Sequence, residues 1–116
     1  MEEQLKKALD FSNYRQAFSI QRKTLKEKAD ANLTFGINGG IFKIDRELIT
    51  FIQMLIDQGR TSSVPLLDIN ETPILIEDIQ AFRDQILDRY FSATLEYFEQ
   101  YQKLKKSRSI EKLIDL

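Results

Sequence analysis

Over the first thirty-three positions of the chain, apolar side chains recur at helical spacing. Leu5, Leu9, Phe11, Tyr14, Phe18, Leu25, Ala29 and Leu33 step mostly by three or four, with Gln21 or Arg22 interrupting the stripe, and no Gly or Pro intervenes. That period predicts one long amphipathic helix of about 45 Å. Glu2 and Glu3 suit the positive end of its dipole. The pattern then changes abruptly at TFGINGGIFKID, where three of the four glycines of the chain fall. Asn-Gly between short apolar runs is a strong hairpin signal, because a tight turn needs positive φ at both central positions. A Gly-rich phosphate cradle would need a Lys-Ser or Lys-Thr to follow, and none does.

Asp45 is placed to cap a second helix, RELITFIQMLIDQ, whose Leu48, Phe51, Ile52, Leu55 and Ile56 share one face. Gly59 fits the left-handed position just past its end. VPLLDINETPILIED then predicts a second hairpin: Val64 to Ile69, a turn over Asn70, Glu71 and Thr72, and Pro73 to Ile76. Pro65 and Pro73 cannot donate ladder hydrogen bonds and belong at strand starts or edges. From Asp78 to about Lys106 the helical period returns through Ile79, Phe82, Ile86, Tyr90, Ala93, Tyr97, Tyr101 and Leu104. A second row, Leu87, Phe91, Leu95 and Phe98, widens this stripe well beyond a narrow coiled-coil seam.

The expected fold is therefore α+β, in the order α-ββ-α-ββ-α: two long antiparallel helices, a shorter helix, and two β-hairpins. Because isolated hairpins are marginal, the two are expected to join in one small antiparallel sheet. The expected organisation is a single helical and hairpin domain over residues 1–106, followed by a C-terminal peptide over 107–116.

Composition narrows the chemistry. The 116 residues include no His, Cys or Trp, so disulfides, thiolate nucleophiles and His-dependent triads are excluded, and with them the usual His/Cys zinc sites. Catalysis would rest on carboxylates, Lys, Arg or Tyr alone, and the expectation is a protein that is not an enzyme, with no catalytic residues, no cofactor and no metal. No apolar stretch approaches the roughly 20 residues of a bilayer span, and MEEQLKKALD lacks the apolar core of a signal peptide. A cytoplasmic location, without membrane contact, is expected.

The net charge is −1, unevenly spread: residues 1–34 carry seven bases and five acids, residues 45–100 four and eleven, residues 102–116 five and two. A nucleic-acid binder usually shows a stronger basic excess. Such a role would need Lys6, Lys7, Arg22, Lys23, Lys103, Lys105 and Arg108 to converge. Glu77, Asp78, Asp84 and Asp88 are the closest-spaced carboxylates. A hydrolase would need two of them in one cleft, whereas their interleaving with Arg83 and Arg89 suits a solvated helix face. DINETPILIED lacks the central Gly and terminal spacing of a calcium loop.

Two features point to protein partners instead. Phe91, Leu95 and Phe98 exceed what one partner helix covers and are candidates for an oligomer interface, with burial inside the monomer as the competing expectation. The ending SRSIEKLIDL follows a basic run that breaks the apolar stripe, so Ser109 is expected to cap a short new turn. Ser109, Ile110, Leu113, Ile114 and Leu116 are candidate partner-binding residues, with folding back onto the first helix as the competing expectation. Their spacing resembles the short C-terminal peptides by which viral replication and late-transcription proteins dock into DNA sliding clamps. It differs in having Ile114 where an aromatic is common. The order of FSNYR, NGGIFKI, RELITF, LLDINETPI and KKSRSIEKLID resembles small proteins encoded by contractile-tailed phages of marine cyanobacteria. That resemblance spans most of the chain. It implies a phage accessory or assembly protein, acting in the host cytoplasm, and transfers no activity.

Overall fold

A computed structural model describes the backbone of residues 1–115 and the side chains of residues 1–107. The element order is α1 (Glu2–Asn32), β1 (Thr34–Ile37), β2 (Gly40–Lys43), α2 (Arg46–Asp57), β3 (Ser62–Leu67), β4 (Pro73–Asp78) and α3 (Ile79–Asp115). This is the expected α+β order. The chain divides into two compact units, Met1–Ala29 with Glu96–Leu116, and Asp30–Leu95.

The unit Asp30–Leu95 holds the core. Phe42, Ile44, Ile52, Leu55, Leu66, Ile74, Ile76, Ile79, Phe82 and Ile86 are buried in one cluster, drawn from every strand pair and helix of the unit. Phe82 is its centre: its ring meets Phe42 edge-on at 5.4 Å and Phe35 at 6.2 Å. Local chemistry sets each element's ends. Asn38 and Gly39, with φ of 51° and 81°, make the β1–β2 turn. The Asp45 carboxylate accepts from the Leu48 N–H at 2.8 Å and opens α2. Gly59, at φ 77°, closes it, donating to the Ile56 carbonyl. Asp78 Oδ1 accepts from the Ala81 N–H at 3.0 Å and caps α3.

The hairpins do not merge. β1 pairs only with β2 (Thr34 opposite Lys43), and β3 only with β4 (Ser62 opposite Asp78), giving two two-stranded antiparallel sheets. Side-chain packing is the reason. A Cβ on Gly40 would lie 2.5 Å from Ile74 Cγ1, so β2 lies against the Ile74 side chain of β4. The β3–β4 connection is also longer than expected, running from Asp68 to Thr72. Pro65 lies inside β3, opposite Leu75, where a two-stranded sheet leaves every strand an edge.

The unit Met1–Ala29 with Glu96–Leu116 is a helix pair. Phe18 meets Tyr101 at 6.3 Å and Lys28 Nζ lies 3.2 Å from Glu96 Oε1, so the two segments run antiparallel. Half-buried Tyr14, Phe18 and Leu25 on α1, with Tyr97, Tyr101 and Leu104 on α3, form the seam. Among the described side chains of this unit, none is buried.

α3 runs on to Asp115 and does not stop near Lys106, so Ser109 lies within a helix and caps no new turn. Lys and Arg are good helix formers, and no Gly or Pro follows Pro73 to end the helix. A broken apolar stripe changes what a helix packs against, not whether its backbone bonds form.

Candidate functional site

The groups that would carry chemistry are dispersed or already engaged in structure. Glu77, Asp78, Asp84 and Asp88 are all exposed. Glu77 and Asp78 line a shallow depression with Asn38, Ala81 and Gln85, but the Asp78 carboxylate is committed to the α3 cap. Asp84 pairs with its neighbour Arg83 at 3.2 Å. Among the described residues no group of three or more acidic side chains is placed to hold a metal ion.

Of the basic set, Arg22 and Lys23 share a groove with Ser19, Lys26, Glu27, Tyr97 and Tyr101. Lys6 and Lys7 lie on α1 about 24 Å away along the helix axis, taking 1.5 Å per residue. Lys103 and Lys105 do not line the groove. The described structure thus collects two of the seven expected cations and adds Lys26.

One carboxylate that sequence reasoning missed is Asp68. It is buried, 9% exposed, at the start of the β3–β4 loop. Its Oδ1 accepts from the N–H groups of Asn70 and Thr72, each at 2.9 Å, and its Oδ2 from the Ile41 N–H at 3.1 Å. The Ile69 N–H donates to the Ile41 carbonyl at 2.9 Å, so both polar groups of Ile41 are tied to this loop. Bonds from Ile41 and Thr72 hold the Asp68 carboxyl below its ordinary value near 3.8, burial partly opposes them, and the Asn70 bond adds to the lowering. Asp68 therefore acts as a fastener between the hairpins. The signal was present in D-I-N-E-T, an acid whose side chain can bond its own backbone two and four residues on.

The apolar surface is the feature that fold maintenance does not absorb. Phe91, Leu95 and Phe98 are 64%, 58% and 56% exposed on successive turns of α3. Leu5, Leu9, Phe11 and Ile20 are exposed along α1. The side chains of Ser109, Ile110, Leu113, Ile114 and Leu116 lie outside the described residues. No described helix is long and apolar enough to cross a membrane. No family model matches the chain, and neither a curated protein nor a solved structure does.

Proposed function

We infer that this chain is a non-enzymatic protein-interaction factor whose helix pair is covered by a protein partner. The supporting observation is that the described side chains of Met1–Ala29 with Glu96–Leu116 include none that is buried, while Leu5, Leu9, Phe11, Ile20 and Phe98 face solvent. Helical stability in proteins comes mainly from burying an apolar face, and this pair buries little by itself. The sequence resemblance adds a setting, a phage accessory or assembly protein in the host cytoplasm. The peptide Ser109, Ile110, Leu113, Ile114 and Leu116 is its second docking element, with a sliding clamp as the partner its spacing suggests.

Site-specific photo-cross-linking tests the reading. A photoreactive residue at Leu9 or Phe98 should give discrete protein adducts in cells making the chain, and one at exposed Glu77 should not. Equal labelling at all three positions, or none at any, overturns it. Unchanged clamp binding after deleting residues 109–116 removes the tail from the proposal.

A nucleic-acid accessory role is the second reading, favoured by Arg22, Lys23 and Lys26 beside Tyr97 and Tyr101. It requires binding that weakens steeply with salt in a mobility-shift assay. A null result at low salt ends it.

A further inference from the structure

In its own sequence α3 sets Tyr97 and Tyr101 among acids, beside Glu96 and Glu99. The cations come from α1, across the helix pair. Arg22, Lys23 and Lys26 are exposed and span about 6 Å of the helix axis. With Tyr97 and Tyr101 they line one groove of about 700 Å³. Every residue of that lining belongs to the unit Met1–Ala29 with Glu96–Leu116. One carboxylate, Glu27, stands against the three cations, and Glu99 is not in the lining. Glu96 is held by Lys28 at 3.2 Å.

The two tyrosines stand one turn apart on α3, their rings 3° from parallel with centroids 6.4 Å apart. Phe18 meets Tyr101 at 68°, so the parallel pair does not continue onto α1. Both tyrosines are half-buried, which holds them in place while leaving part of each in the groove lining. Parallel aromatic rings beside a cluster of cations suit one ligand chemistry: a flat aromatic base carried on phosphate. In a duplex each base is already paired and stacked on its neighbours, so only an unpaired base can lie against a tyrosine. Cations spread along α1 suit the successive phosphates of a strand better than the phosphate of a free nucleotide.

We propose that this groove binds a short single-stranded nucleic acid, with a base against Tyr97 or Tyr101 and its flanking phosphates on Arg22, Lys23 and Lys26. This rests on the nucleic-acid accessory role, the second functional reading, and it names the ligand and the residues that hold it. Stacking supplies the part of the affinity that survives salt, and the cations supply the part that does not. Every base has a face to stack, so little sequence preference is expected.

Fluorescence anisotropy of a labelled thymidine oligonucleotide of about 16 nucleotides, titrated with the full-length chain, tests it. Binding at low salt is expected, with log K falling against log salt at a slope of about −2, from three phosphate contacts at about −0.7 each. Arg22→Gln combined with Lys23→Gln should reduce that slope to about −0.7. Both side chains are exposed, so this pair tests the groove without touching the seam. Tyr97→Leu or Tyr101→Leu should weaken binding about five- to hundredfold with the slope and the circular dichroism unchanged. Tyr101→Phe keeps the ring face and should bind more tightly than Tyr101→Leu. A duplex of the same length and thymidine monophosphate should each compete poorly. Equal competition by either, nucleotide for nucleotide, overturns the single strand as the ligand. Strand binding indifferent to both sets of substitutions overturns the groove as its site while leaving the nucleic-acid role standing, and no binding at low salt ends both.

Discussion

The Asp68 carboxylate ties its own loop to the first hairpin. Three backbone N–H groups converge on one carboxylate: two from its own loop and one from Ile41 on the other hairpin. Each is a hydrogen bond to a charged acceptor, roughly twice as strong as a neutral one. Because these donors favour the ionised form, the folded-state pKa lies below the unfolded value near 3.8. The stability that Asp68 contributes is therefore fully present above that pH and is lost as pH falls through the folded value. Asp68→Asn should lower the melting temperature at neutral pH, since an amide NH2 cannot accept from the N–H groups it would face. The gap between variant and parent should narrow steadily as melts are repeated below pH 3.8. A constant gap across the acid range would mean that the carboxylate's charge is not what holds the loop.

At the level of elements, the contact between the hairpins shows which kinds of information the sequence carries. Caps and turns were legible because their chemistry is local: Asp45, Asn38-Gly39 and Gly59 act on backbone groups within four residues of themselves. The separate sheets were not legible, because edge pairing and side-chain stacking leave the same alternating pattern along a strand. Gly40 illustrates the difference. In sequence it reads as the second turn glycine, yet only Asn38 and Gly39 have the positive φ of the turn. Gly40 is glycine because Ile74 occupies the space of a Cβ, at 2.5 Å and 2.7 Å from two of its carbons. Ile74 is itself only 7% exposed and cannot swing away freely. Gly40→Ala should cost about 1–3 kcal/mol by overpacking. In an Ile74→Ala background the same substitution should cost much less, and a double-mutant cycle by denaturant unfolding measures that coupling. Additive effects would show that the glycine serves backbone conformation instead. The exposed row of α3 was legible for the same reason as the caps, since helical periodicity is local. What covers that row is a property of a second surface, and no periodicity within one chain contains it.

For the molecule as a whole, the decisive contrast is between a unit with a closed core and a unit without one. Every described residue that is buried lies in Asp30–Leu95. Backbone hydrogen bonds of the elements packed around Phe82 are the best placed in that unit to open only on global unfolding, so their exchange with solvent reports it. Residues 2–29 have the same helical hydrogen bonds but only a half-buried seam, in which Tyr14, Phe18 and Tyr101 touch. Most helical stability in proteins comes from tertiary packing of an apolar face, and a shallow seam supplies little of it. Hydrogen exchange on the dilute chain should therefore show two tiers, slow amides through Phe42–Ile86 and much faster ones through residues 2–29. Adding the partner that covers the helix pair should slow the fast tier while leaving the core amides unchanged, because partner binding stabilises by mass action the segments it touches. If residues 2–29 exchange as slowly as the core at high dilution, the helix pair is stable without cover. The interaction reading would then lose the physical need on which it stands.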